Sequence, residues 1–206
     1  MPDLLFFPVL SLALVPLAVW WYVWLARVTP LASSHADRLP LYLAPPLCLL
    51  LIPACLLRGA WGAEVGWRPV LICSLSGTTC VLLAAAWFFP WLGLSPRDDV
   101  AERRNRPAGW AVAGGFVGLA LAFGMAAGSP PPGWRLPFPL GLVAMAAVFA
   151  VWAGYERLTG ASEAITVERD RGAAFRLAAL LSMAGLVIGL AFAYLVPLLG
   201  LRGAEP

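Results

Sequence analysis

The residues of this chain that could do chemistry are few and scattered. Four cysteines stand as two pairs, Cys48 with Cys55 and Cys73 with Cys80, each pair spaced i, i+7. On a helix that spacing puts both thiols of a pair on one face. It also holds them about 10 Å apart at 1.5 Å rise per residue, too far for a disulfide within a pair. Four thiolates could ligate a metal ion or cluster. Metal sites favour short C-x-x-C spacing and supporting hydrogen-bond partners, and the sequence offers neither. Buried cysteine otherwise behaves as a small hydrophobe, and packing is the favoured reading. The single histidine, His35, stands beside Asp37. A lone loop histidine is more often solvated than catalytic, and no Ser-His-Asp set can be built around it. Haem ligation would need an axial ligand facing a cavity, and this histidine sits in a loop. No catalytic residue, cofactor site or metal site is therefore expected.

The remaining candidates are charged. Asp98, Asp99, Glu102, Arg103, Arg104 and Asn105 form one cluster, and Glu168, Arg169, Asp170 and Arg171 form another. Each cluster directly precedes a long apolar stretch. Carboxylates near a helix N-terminus are worth about 0.3–1 kcal/mol each, and Asn105 is a natural N-cap. The clusters therefore read as helix-starting loops. They also read as one surface, with Arg103, Arg104, Arg169 and Arg171 offered to a partner. Glu156 and Arg157 end another apolar stretch and are expected to reach the interface by snorkelling. Ser74, Ser76, Thr78 and Thr79 form one polar patch, whose expected use is back-bonding to a helix backbone rather than a pore lining.

The elements that must carry these residues are six apolar segments: Leu4–Ala26, Leu41–Leu57, Pro69–Leu92, Trp110–Gly128, Phe138–Tyr155 and Leu177–Leu201. Every Arg, Asp and Glu lies between or beside them. A bilayer crossing needs about 20 apolar residues, and only closed backbone hydrogen bonding survives there. The expected fold is all-α, a polytopic membrane protein of six transmembrane helices. Only 12% of the chain is charged, against about 25% for a soluble domain. A soluble helical core would need an amphipathic shell, which these segments lack. Met1–Asp3 carries no basic residue and the first apolar run exceeds a signal-peptide core, so it reads as a retained helix kinked at Pro8 and Pro16.

All fourteen basic residues are arginine. With six crossings, Arg27, Arg38, Arg97, Arg103, Arg104, Arg106, Arg157, Arg169, Arg171 and Arg176 share one side. Arg58, Arg68, Arg135 and Arg202 share the other. The positive-inside rule puts the larger set in the cytoplasm and both termini outside. Trp61, Trp67 and Trp134 fall by the outer loops, and Trp91 and Trp110 flank a cytoplasmic one, as interfacial aromatics do. Five prolines in 129–139 predict a stiff outer loop. Arginines mixed with acids in one loop argue against nucleic acid as a partner.

The second half repeats. A gapless shift of 67 residues matches Gly93 with Gly160, Ser95 with Ser162, Val100 with Val167, Arg104 with Arg171 and Gly118 with Gly185. The expected organisation is two N-terminal helices over 1–66, repeat 1 over 67–133 and repeat 2 over 134–206. Two-helix units keep their orientation, so the copies would be related by an axis along the membrane normal. The second helix of each copy carries G-x-x-x-G, Gly114 with Gly118 and Gly185 with Gly189. Small residues at that spacing let helices approach closely. The copies are expected to pack on one another, with homodimerisation through the same faces as the alternative.

The acidic run Asp98-Asp99-Val100-Ala101-Glu102, Asn105, and the following Ala108, Ala111, Ala113, Gly114 and Gly118 resemble a bacterial membrane family, domain of unknown function 350. The likeness spans roughly Pro69–Leu199 and leaves the first two segments outside it. Family members are built of helix pairs with an acidic segment and an Asn before the second helix. In the second copy Gly172 stands at the matching position, while Glu163, Glu168 and Asp170 keep the loop acidic. The resemblance implies a bacterial inner-membrane protein and is silent on activity. The leading functional expectation is a non-enzymatic subunit or scaffold, in contact with lipid and with other membrane subunits or itself. A small channel or carrier with a path between the repeats is the alternative.

Overall fold

A computed structural model describes residues 39–58, 67–129 and 136–198, with Leu12, Val15, Leu17, Val19, Trp21 and Val23 of the first segment. Those six positions are helical. The rest of the first segment, His35 and Asp37, Arg27, Arg38, Trp61, the Pro130–Pro132 run, Trp134, Arg135, Arg202 and both termini lie outside the described residues.

Among the described residues all regular structure is helical. Helix α1 spans Leu39–Arg58, α2 Trp67–Trp91, α3 Arg106–Ala127, α4 Pro137–Thr159, α5 Ala161–Thr166 and α6 Arg171–Leu198. A π-helical turn, Pro96–Glu102, stands between α2 and α3. Five helices, α1 to α4 and α6, are long and apolar enough to cross a membrane, and the chain reads as a multi-pass membrane protein. Helices α3 and α6 begin at Arg106 and Arg171, a turn or more before the apolar runs Trp110–Gly128 and Leu177–Leu201. Helix starts follow caps and backbone hydrogen bonds, whereas apolar runs follow only the hydrocarbon layer.

Helix α3 is the hub. It packs most extensively on α6, then on α1, α4 and α2. Most of its Ala- and Gly-rich surface is buried, leaving one partly exposed stripe through Trp110, Ala113, Val117, Leu121 and Met125, whereas α6 buries only a stripe through Ala174, Leu177, Leu181, Gly185 and Gly189. The outward face of α6 (Phe175, Met183, Val187, Tyr194) is exposed and apolar, as a lipid-facing surface must be. Gly114 lies against Ala178, Gly118 against the Leu181 carbonyl, and Gly189 against Leu121 and Met125. These contacts advance together along both helices, so α3 and α6 run parallel. A Cβ on Gly185 would overlap the Gly118 carbonyl. The two G-x-x-x-G faces thus occupy each other within the chain.

Helix α1 contains Pro45, Pro46 and Pro53. Pro45 has no N–H, so the Leu41 carbonyl one turn earlier loses its helical donor. The indole of Trp21 donates to that carbonyl at 3.1 Å. Trp21 is fully buried and meets Phe116 of α3 edge-on at 5.8 Å. One side chain therefore satisfies a proline-freed carbonyl and joins the first segment to α1 and α3. Beside it Phe89 contacts Phe116 at 5.6 Å and Trp152 at 4.8 Å, extending an aromatic layer into α4.

The polar patch of α2 turns inward. Ser74 Oγ donates to the Val70 carbonyl at 2.6 Å and Thr79 Oγ1 to that of Leu75 at 2.9 Å, the expected back-bonding. The Phe123 ring lies against Gly77 and Gly141, filling the space beside the patch.

Candidate functional site

The two connections, α2 to α3 and α4 to α6, dock on each other at one end of the bundle. Each opens on a left-handed glycine, Gly93 (φ +79°) or Gly160 (φ +59°). Each closes on a left-handed arginine, Arg104 (φ +52°) or Arg169 (φ +56°). Arginine in that region is strained by roughly 1–2 kcal/mol, so the surrounding hydrogen bonds must hold it. The amide of Asn105 donates to the Asp99 carbonyl at 2.9 Å, and that of Asp170 to the Ala164 carbonyl at 3.0 Å. Both bonds pull the chain back just past the left-handed residue.

In the first connection Asp99 is the clamp. Its buried carboxylate accepts from the Ser95 amide at 2.8 Å and from Arg103 Nη1 at 3.3 Å. A buried charge is tolerated only when paired and hydrogen-bonded, which these donors achieve. Ser95 Oγ accepts the Asp98 amide at 3.0 Å, capping the π-turn, and the Arg103 amide closes the turn on the Asp98 carbonyl at 2.9 Å. On the surface Arg97 pairs with Glu102 at 2.9 Å. Asp98, Asp99 and Glu102 therefore serve the π-turn. The expectation that they support the start of α3 is corrected: Arg103, Arg104 and Asn105 intervene, and Asn105 alone caps α3. Its Oδ1 accepts the Ala108 amide at 3.3 Å.

Asn105 does more than cap. Its Nδ2 donates to the Ile165 carbonyl at 2.7 Å, reaching the last turn of α5 in the other connection. The residue is buried. Arg169 Nη2 donates to the Arg103 carbonyl at 3.3 Å. Gly93 lies against the Ser162 side chain. Three contacts thus join the connections into one platform.

The second connection is built differently. The Glu156 carboxylate, from the end of α4, accepts the Ser162 amide at 3.0 Å and also the Ser162 hydroxyl. The Glu156 charge therefore turns back onto the Ser162 amide in the first turn of α5. Asp170 Oδ1 accepts the Gly172 amide at 2.7 Å and caps α6, and its Oδ2 lies 3.6 Å from Arg176. Asp170, not Gly172, takes the place that Asn105 takes at α3. Glu168 is exposed, and Arg171 is the first residue of α6.

Sequence reading named Ser95 and Ser162 only as a repeat match and Glu156 only as an interfacial residue, and gave none of them a role in the connections. The signal for Ser95 was present, a Ser-Pro pair before an acidic stretch, which is how a capped helical turn starts. No local signal marks Glu156. Among the described residues no cluster of three or more His, Cys, Asp or Glu is placed to hold a metal ion. The arrangement offers a rigid, mixed-charge platform rather than a nucleophile with its base. The chain matches no family model, no curated protein and no solved structure.

Proposed function

We propose that this chain is a non-enzymatic subunit or scaffold of a larger complex in a bacterial inner membrane, with the docked connections as its cytoplasmic contact surface. The observation that carries the reading is the pair of cross-connection bonds, Asn105 to Ile165 and Arg169 to Arg103. They preorganise a surface that exposes Arg97, Asp98, Glu102, Arg103, Arg104, Glu163, Glu168 and Arg171. Pre-ordered surfaces bind with little ordering cost. Membership of the family called domain of unknown function 350 belongs to the same proposal and rests on the acidic run and Asn105. So do six crossings with both termini outside, supported by the arginine partition. The two repeats, 67–133 and 134–206, belong to it as well. Their matching left-handed glycines stand 67 residues apart, and their capping residues Asn105 and Asp170 stand 65 apart. The channel or carrier alternative draws less support, because the faces of α3 toward α6, α1, α4 and α2 are closed by buried aromatic and small residues.

The test is a charge reversal on the platform, Arg104→Glu with Glu168→Arg, against Asn105→Ala. Membrane abundance and co-purifying proteins are scored separately. Loss of a partner at normal abundance in the reversal supports the platform. An unchanged set of partners at normal abundance sinks it. Orientation is read from maleimide labelling of Arg97→Cys and Arg68→Cys in a cysteine-free background, where external labelling of the first refutes the proposed topology.

A further inference from the structure

The two halves of α1 are held by different means. The later half is fixed by close approach: Gly124 and Gly128 of α3 face Ile52, Cys55 and Leu56, where a Cβ on either glycine would come within 3.3 Å of α1 atoms. These contacts advance together, so α1 and α3 run parallel. Beside the first turns of α1 the α3 glycines turn elsewhere, Gly114 to Ala178 and Gly115 to Phe89 and Leu181. A groove of about 590 Å³ lies there instead, between Leu39 and Leu43 of α1, Trp110 and Ala113 of α3, and Phe175 of α6. Between the two halves stand Pro45 and Pro46. Neither has an N–H, so two successive bonds of the helical ladder are missing. Sharp bends in helices fall at such places. The first turns bury Leu41 and Ala44, and one polar tie holds them. The fully buried Trp21 donates its indole N–H to the Leu41 carbonyl at 3.1 Å, while its ring meets Phe116 edge-on at 5.8 Å.

We propose that the first turns of α1, from Leu39 to Ala44, form a hinged arm that pivots at Pro45–Pro46, is latched by the Trp21 indole, and sets the width of the groove by its position. The proposal is independent of the scaffold role. A single neutral hydrogen bond is a weak tie, so the arm can be released while the later half stays seated on α3. Latch and hinge are coupled, because the carbonyl that Pro45 leaves open is the one the indole takes. A helix without that proline would have no need of the tryptophan donor. The arm from Pro45 to Leu39 is about 9 Å long at 1.5 Å per residue. A change of about 20° in the bend therefore moves its tip by about 3 Å.

The experiment measures distances between paired spin labels by electron resonance, on the cysteine-free full chain in nanodiscs. One pair, Leu39→Cys with Ala179→Cys, spans the groove. A second, Leu50→Cys with Val187→Cys, spans the seated half, and all four positions are exposed. The parent should give one narrow distribution for each pair. Trp21→Phe keeps a ring against Phe116 and removes the donor. It should add a population shifted by about 3 Å across the groove and leave the second pair unmoved. Adding Pro45→Ala, which returns a helical N–H to the Leu41 carbonyl, should restore the parent distribution. An unchanged first pair in Trp21→Phe overturns the latch. Equal broadening of both pairs overturns the hinge, since the whole helix would then have moved. Failure of Pro45→Ala to restore the parent distribution overturns the coupling between them. Hydrogen exchange of the unaltered chain tests the arm without any variant. The amides of Leu43, Ala44 and Leu47 should exchange at least tenfold faster than those of Cys55 and Leu56. Equal protection of the two halves overturns the proposal.

Discussion

Between the left-handed Gly93 and the left-handed Arg104 the first connection runs ten residues; between Gly160 and Arg169 the second runs eight. The ends match in backbone conformation, in the long amide-to-carbonyl closure and in the capping residue that follows. The interiors do not. The longer one winds into wider π turns clamped by its own Asp99, and the shorter one is an ordinary α turn capped by Glu156 from the preceding helix. A π turn takes more residues per turn than an α turn and absorbs extra length without moving its ends. The comparison teaches that the helix spacing at this end is set by the boundary residues, and that the interior need only satisfy its own polar groups.

The largest expected difference lies between the caps. Asn105→Ala removes a cap and strands the buried Ile165 carbonyl, so it should cost about 3 kcal/mol. Asp170→Ala removes a half-buried cap and should cost about 1 kcal/mol. Unfolding in mixed micelles by a denaturing detergent measures both. Equal losses would mean that the Asn105–Ile165 bond contributes nothing.

The clamps come next. Asp99→Ala leaves the Ser95 amide and the Arg103 guanidinium without their acceptor and should cost about 2 kcal/mol. Glu156→Ala removes a less buried carboxylate and should cost about 1 kcal/mol. The reverse order in the same assay would show the shorter connection to be the more strained.

The opening glycines differ in their surroundings. Gly160→Ala meets open space and carries only the left-handed penalty, about 1 kcal/mol. Gly93→Ala adds a collision with Ser162 and should cost about 2 kcal/mol. The double variant Gly93→Ala with Ser162→Ala should recover part of that difference. If it recovers none, the two connections are not in contact there.

The smallest effect belongs to a closing arginine. Arg169→Gly relieves a left-handed side chain but loses the bond to the Arg103 carbonyl, so its net effect should be near zero. A gain of about 1 kcal/mol in the same assay would remove that bond from the account.

Much of the fold was legible because a bilayer imposes local rules. Charge-free runs of membrane length mark helices wherever they occur, and the five described ones lie where the runs predict. Asn105 as a cap was legible for the same reason, since capping reads residues only a turn away. The G-x-x-x-G pairs marked faces of close approach but did not say which face meets which. The 67-residue register set Gly172 rather than the capping Asp170 opposite Asn105, because a gapless comparison cannot see that the first connection is two residues longer.

By itself, then, the sequence determined where the chain can cross a membrane and where helices can start, since hydropathy and capping depend on neighbours along the chain. Tertiary structure alone decided which distant groups meet. The Nδ2 of Asn105 finds a carbonyl sixty residues away. Trp21 supplies the donor that Pro45 withholds from Leu41. Arg106 and Arg171 come to line one groove. A stranded carbonyl or a charged side chain can be recognised from sequence, but its partner depends on how whole helices pack, and that is a property of the assembled bundle.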